Sequence, residues 1–137
     1  MNGCPMNQYT LPTMDFVGGE TQEIAFDVYY YIGKRPFGLD GCTAQFAIVS
    51  YSNKNGEPIL SKRMEVQSAK PDGIKNVLYL KLLPEETLEL RGKYIYQITI
   101  RDIEGDVEIP KQGVIYIYNN INKEFAGAGS SPLSYTH

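Results

Sequence analysis

Tryptophan is absent from this sequence of 137 residues, histidine occurs once and cysteine twice. Each shortage removes a class of chemistry. The one histidine is the last residue, His137, so a histidine-based catalytic triad would depend on a partner chain. Cys4 and Cys42 lack the paired spacing of a zinc site and are too few for a disulfide scaffold. Both are expected as free thiols; a disulfide anchoring the N-terminal tail, or an intermolecular or metal use, is the alternative. No glycine-rich strand-to-helix element or phosphate loop occurs. No stretch approaches the roughly 18 consecutive apolar residues of a membrane helix. The N-terminus has no apolar run for a signal peptide, and Met1-Asn2-Gly3-Cys4 lacks the hydrophobic segment that precedes a lipoprotein cleavage site, so cytoplasmic synthesis without Sec-type export is expected. Basic residues are also scarce. Thirteen Lys and Arg stand against 16 Asp and Glu, for a net charge of −3. The only basic clusters are Lys34-Arg35 and Lys62-Arg63, which argues against a nucleic-acid backbone as partner.

What the sequence does contain is tyrosine, 11 residues of it, with 5 phenylalanines. These rings and the β-branched residues fall in short runs bounded by Gly, Pro, Asn and Asp, the signature of strands and turns. Tyr9 to Phe16 reads as a short edge strand interrupted by Pro12. Thr21 to Ile32 alternates most clearly: Ile24, Phe26, Val28, Tyr30 and Ile32 share one face, and Glu23, Ala25, Asp27, Tyr29 and Tyr31 the other. Leu39 reads as a plug in the connection that follows. Cys42 to Tyr51 points Ala44, Phe46 and Ile48 inward, and Asn55-Gly56 signals a hairpin. Ile59 to Val66 returns with Leu60, Met64 and Val66 inward. Lys62 breaks that row, which suggests an edge strand. Lys75 to Leu83 places Leu78, Leu80 and Leu82 inward and Val77 and Tyr79 outward. Pro84 followed by Glu85 and Glu86 suits the first turn of a short helix. Lys93 to Arg101 is a central strand with Tyr94, Tyr96, Ile98 and Ile100 inward. Asp102 to Asp106 is a hairpin turn, Val107 to Ile109 is brief, and Gly113 to Tyr118 closes the set with Ile115 and Ile117 inward.

The pattern predicts an all-β, immunoglobulin-like β-sandwich of seven or eight antiparallel strands with one short helical turn. Its expected core includes Phe26, Val28, Phe46, Ile48, Leu80, Tyr96 and Ile98. The predicted organisation is an N-terminal arm over residues 1–14, the sandwich over residues 15–118 and a C-terminal arm over residues 119–137. Phe125, Leu133 and Tyr135 are spaced anchors in the second arm, and Met6, Tyr9 and Leu11 in the first. Folding of both tails back onto their own sandwich is the competing account.

Gly92-Lys93-Tyr94 enters the central strand just after the short helical segment. At this place an immunoglobulin-like sandwich carries a tyrosine corner, whose hydroxyl anchors the preceding turn. The other reading of Tyr94 is a core tyrosine whose hydroxyl reaches the rim. With the strands placed, residues 15–118 resemble the immunoglobulin-like N-terminal domains of phage baseplate upper proteins and related small phage tail proteins. The resemblance rests on Gly19-Glu20-Thr21 leading into the first long strand and Leu39-Asp40-Gly41-Cys42-Thr43-Ala44 leading into the second. The inward leucines around Tyr79 and the segment Gly92-Lys93-Tyr94-Ile95-Tyr96 complete it. The long helical and receptor-carrier regions that follow this domain in the family are missing, which favours a separate small virion subunit.

The resemblance implies a structural subunit of a phage virion, in tail, baseplate or head decoration. It would have no catalytic residues, cofactor or metal, and its partners would be other virion proteins and copies of itself. Tyr29, Tyr31, Tyr51, Tyr79, Tyr116 and Tyr118 are predicted outward and offer large contact area at low entropy cost. With Phe125, Leu133 and Tyr135 they are the candidate interface residues, while Gly92 and Tyr94 are structural. A carbohydrate-binding or host-adhesion module holding a host glycan on these rings is the second reading, and an accessory domain of a bacterial surface protein the third. Asp102, Glu104, Asp106 and Glu108 form one acidic cluster with the oxygen chemistry of a calcium site, but they flank Gly105 at a hairpin tip, where solvated carboxylates are ordinary.

Overall fold

The computed structural model describes residues 11–29, 37–68, 70–71, 73–109 and 112–127. The alternating segments become β1 (Met14–Val17), β2 (Gln22–Asp27), β3 (Thr43–Ser50), β4 (Leu60–Gln67), β5 (Val77–Leu82), β6 (Gly92–Arg101), β7 (Val107–Glu108) and β8 (Gln112–Tyr118). A helical turn α1 (Pro84–Thr87) lies between β5 and β6, and another, α2 (Lys123–Gly127), follows β8. The strands form one sheet in the order β1-β8-β6-β3-β4-β5-β2, with β7 also on β6. The neighbours β3, β6 and β8, and the neighbours β4, β5 and β2, match the C-F-G and D-E-B groupings of immunoglobulin-like domains.

The sheet departs from the expected all-antiparallel sandwich in two ways. First, β1 runs parallel to β8. The turn after β1 reverses the chain into β2, and the alternating directions around the sheet already set β2 opposite to β8. Therefore β1 must run with β8. Second, β4 is not an edge strand. Its residues 60–64 pair with β3 and its residues 65–67 pair with β5, so this one strand carries the sheet from one half to the other and curls it over the core.

Lys62 sits where β4 leaves one partner for the other. Its ammonium donates to the Lys81 carbonyl at 2.6 Å, beyond the end of the β4–β5 ladder, and pairs with Glu86 at 2.8 Å. An inward lysine is tolerated here because the seam supplies acceptors. Glu86 in turn accepts from the Leu83 amide at 2.7 Å and so caps α1, whose first residue is Pro84. Burial works against the Glu86 charge, but the Leu83 amide and the Lys62 ammonium outweigh it and hold the carboxyl below its ordinary value.

Two smaller expectations also change. The β3–β4 hairpin forms, but Asn55-Gly56 is not its two-residue tip; a 3₁₀ turn at Tyr51–Asn53 opens a longer loop, in which the Gly56 amide donates to the Asn53 carbonyl. Val77, expected outward, is buried. After Asn119 the described chain includes a helical turn packed beside α1: Asn120 donates to the Gly18 carbonyl at 2.7 Å and Lys123 pairs with Glu89 at 3.1 Å. Leu11 also lies against the sheet, its amide donating to the Gln112 carbonyl. The predicted strand residues 30–32 lie outside the described residues, and Tyr29 makes an isolated bridge after β2.

The core is otherwise as the alternation predicts. Phe46, Ile48, Leu80, Tyr96 and Ile98 are buried, Leu39 plugs one end, and Phe26 and Val28 are half-buried against the same cluster. Tyr96 is its hub. Its ring lies 5.7 Å from Phe46 on β3 and 5.9 Å from Phe26 on β2, joining the two halves of the sheet. Across from it on β8 stands Gly113, where an added methyl would collide with the edge of the ring. The missing side chain lets the ring cross β8 and donate its hydroxyl proton to the Pro12 carbonyl at 2.6 Å. Burial pushes this phenol well above the ordinary tyrosine range.

At one end of the core, α1 holds the β1–β2 turn. Buried Thr87 accepts from the Gly19 amide through Oγ1 at 2.9 Å. A Cβ on Gly18 would stand 2.5 Å from the Thr87 carbonyl, so this approach needs glycine.

Two expectations follow. Gly113→Ala should destabilise the protein by about 1–3 kcal/mol through overpacking against Tyr96, read by chemical denaturation, and should raise amide exchange at Leu11; unchanged stability would contradict the ring's placement. Lys62→Met should cost about 1–2 kcal/mol at neutral pH. Because the folded Glu86 pKa is depressed, its contribution is complete above the unfolded value and disappears as pH falls through the folded one. The gap between urea melts of the two proteins should therefore narrow as the pH is lowered below about 4, leaving the part that the Lys81 carbonyl bond supplies, and a constant gap would count against the pairing.

Candidate interaction surface

The outer face of β1, β8, β6 and β3 carries side chains that a strand-by-strand reading leaves scattered. Period two sends Val17, Tyr116, Tyr118, Lys93, Ile95 and Val49 outward, and the register makes them neighbours. Val17 stands beside Tyr118, Asp15 beside Tyr116, Tyr116 beside Lys93, and Ile95 between Val114 and Val49. Tyr51 follows β3, and its ring receives the Lys93 ammonium at 3.8 Å and the Lys54 ammonium at 4.3 Å. Lys93 also lies 5.7 Å from the Tyr116 ring centre. A cation between two rings holds their faces in place, worth about 0.5–1 kcal/mol at an exposed site.

Ile95 shows how dense this patch is. It points away from the core, yet it is only 3% exposed. Val114 and Val49 flank it, and farther along the face Tyr116 and Val17 are each 38% exposed and Tyr118 is 53% exposed. The rest of the same face is polar. Gln112 donates to Gln97, Gln97 to Thr99, and Gln45 to Ser61. One sheet face is thus divided into an aromatic half and an amide-hydroxyl half.

The predicted interface tyrosines do not share a single surface. Tyr116, Tyr118 and Tyr51 meet on this face, whereas Tyr79 belongs to β5, beside Ala25 of β2 and Glu65 of β4, in the other half of the sheet. Tyr79 is half-buried; loss of hydration first, then the carboxylates of Glu23 and Glu65, push its phenol up. Tyr29 is exposed just beyond β2, in the same half. Phe125, 62% exposed, lies on α2 at the end of the molecule held by α1. Tyr31, Leu133 and Tyr135 lie outside the described residues. Val17, Lys93 and Ile95 were not singled out in the sequence. Only cross-strand register could have found them, because Val17 is on β1 and Lys93 and Ile95 are on β6, apart from the tyrosines of β8.

The structural pair is well defined. Gly92 has φ of +113° with nothing within 4 Å of an added Cβ, so its backbone and not its space demands glycine. The Tyr94 hydroxyl accepts from the Arg91 amide at 2.9 Å and donates to the Arg91 carbonyl at 2.8 Å, closing the turn that feeds β6. The acidic hairpin is likewise tied up internally, since the Asp102 carboxylate accepts from the amides of Glu104 and Asp106, each at 2.9 Å. Among the described residues no group of His, Cys, Asp and Glu is arranged to hold a metal ion. Burial, then the nearby Asp102 and Asp40, push the Cys42 thiol up, which disfavours the reactive thiolate. Cys4 lies outside the described residues.

Stability should separate exposed residues from buried ones on the aromatic face. Ile95→Ala is expected to cost about 2–4 kcal/mol, whereas Tyr118→Ser should stay within about 0.5 kcal/mol. Equal losses in denaturant titrations would show that the tyrosine is part of the packing and not a free contact residue.

No family model and no curated relative matches the sequence. Among solved structures the chain is similar to the N-terminal domain of phage TP901-1 ORF48, with a TM-score of 0.54 and 11% identity over 82% of this chain and 89% of that one. It also aligns with CopC from Methylosinus trichosporium OB3b at a TM-score of 0.48, with 10% identity over 82% of this chain and 90% of that chain. For the fibronectin(III)-like modules of Clostridium thermocellum CbhA the TM-score is 0.41, with 15% identity over 80% of this chain and 93% of that one. The likeness to the phage domain is one of fold.

Proposed function

We propose that this chain is a structural subunit of a phage virion, in tail, baseplate or head decoration, that acts through protein–protein contacts and performs no catalytic step. The observation that carries the reading is the aromatic half of the outer face, where Tyr116, Tyr118 and Val17 stand exposed on paired strands beside Lys93 and the buried Ile95 lies farther along the same face. Such a surface gives a partner large rings at low ordering cost, beside a lysine already held between two of them. The fold shared with a domain of a phage protein supports the same reading. The partners are other virion proteins and further copies of the chain, and its place is the particle. The division of the tyrosines between two halves of the sheet disfavours a glycan cleft, which needs its rings to converge.

Quantitative mass spectrometry of particles purified from the phage or prophage encoding the chain tests this. The expected result is a fixed copy number per particle, lost in the Tyr116→Asp/Tyr118→Asp double variant while its melting temperature changes little. Particles that assemble and infect without the chain would overturn the reading, as would selective retention of a glycan on an array.

A further inference from the structure

The strand order ends at β1 on one side and β2 on the other, and the curl of the sheet brings these two ends to face each other. Between them lies a groove of about 330 Å³, lined by Pro12, Met14 and Asp15 from the β1 side and by residues 22–26 of β2. Among the described residues no strand pairs with the outer side of β2. The ladder with β5 shows which backbone groups this leaves open. Val28 donates to the Asn76 carbonyl at 2.8 Å, continuing the β2–β5 register by one residue. Antiparallel hydrogen bonding alternates, so Phe26, Ile24 and Gln22 direct their amides and carbonyls toward β5. Glu23, Ala25 and Asp27 direct theirs toward the groove.

We infer that this edge takes an extended basic segment of another protein as an additional strand. The segment would pair with the amides and carbonyls of Glu23, Ala25 and Asp27, as in other strand-addition complexes. Charge chooses the occupant. Glu23 and Asp27 stand on the outer face of the edge strand, Asp15 stands across the groove, and among the described residues no lysine or arginine lines it. Lysines or arginines at alternate positions of an added strand would lie directly opposite those carboxylates, while the positions between them would face the side of Ile24 and Phe26. A second copy of the chain fits worse. Antiparallel pairing of two β2 edges about Ala25 would set Glu23 of each copy against Asp27 of the other, like charges directly opposed. Edge carboxylates that deter self-pairing therefore leave the site to a partner of the opposite sign. The added strand would pair with β2, in the half of the sheet away from Tyr116 and Tyr118, and failure of the inference would leave the proposed virion role untouched.

The probe is an acetylated, amidated heptapeptide of alternating lysine and valine, compared with the same peptide carrying glutamate for lysine. Amide hydrogen exchange in the full chain is followed residue by residue by NMR. The lysine peptide should slow exchange at Glu23, Ala25 and Asp27 by about tenfold or more, and the glutamate peptide should not. A lysine peptide N-methylated on the amides of its pairing edge should lose the effect at unchanged charge. Because Ala25→Pro could disturb folding, the Glu23→Lys/Asp27→Lys variant provides the second arm, and it should reverse the preference toward the glutamate peptide. Equal protection by both peptides, a response that survives N-methylation, or a concentration-dependent dimer that the lysine peptide dissolves would each overturn the inference.

Discussion

A single tyrosine ring spans the places where this sheet would otherwise come apart. Tyr96 stacks on Phe46 within its own half, meets Phe26 of the opposite half, crosses β8 over Gly113 and ends on the Pro12 carbonyl. The ring supplies the apolar contact that a curled sheet needs between its halves. Its hydroxyl supplies the bond that holds the start of β1, the strand at one end of the order. Both depend on the absence of a side chain at residue 113, so a tyrosine and a glycine on neighbouring strands act as one unit. A buried phenol with no acceptor would cost about 1–3 kcal/mol, so the Pro12 carbonyl is a requirement of the packing as well as a consequence of it.

The curl itself comes from β4, which exchanges one partner for another along its length. A strand that changes partner leaves carbonyls uncovered at the crossing, and Lys62 covers one while its charge is matched by Glu86. Glu86 simultaneously caps α1, and α1 holds the β1–β2 turn through Thr87. The strand crossing, the helical turn and the placement of β1 are thus linked by short polar contacts around the apolar core. This closes one end of the fold but, among the described residues, leaves the facing edges of β1 and β2 unpaired. The aromatic patch and the open edge are consequences of the same architecture: the first forms where four strands lie flat beside one another, the second where the sheet fails to close.

Much of this was legible in the residues taken in order. Period two identified the inward rows Ala44-Phe46-Ile48, Leu78-Leu80-Leu82 and Tyr96-Ile98-Ile100, all of them buried. Pro84-Glu85-Glu86 marked α1, and Gly92 with Tyr94 marked the turn into β6. These features are local. Side-chain alternation, a proline at a helix start and a glycine at positive φ are set by the backbone within a few residues, so a reading along the chain finds them. Lys62 was read as the mark of an edge strand for the same reason: its local pattern cannot show that acceptors from residues 81 and 86 await it.

Tertiary structure alone decided what lies beside what. The parallel run of β1 with β8, the transfer of β4 between partners and the burial of outward-pointing Ile95 all follow from pairings between residues far apart in sequence. The same pairings assembled Val17, Tyr118, Tyr116 and Lys93 into one surface and sent Tyr79 to the other half of the sheet. An outward tyrosine is determined by the period of its own strand; its neighbours are determined by the order and register of strands, which the curl of the whole sheet sets. The sequence by itself therefore determined the strands and their faces, and the closure of those strands around Tyr96 decided which faces became a surface and which edge stayed open.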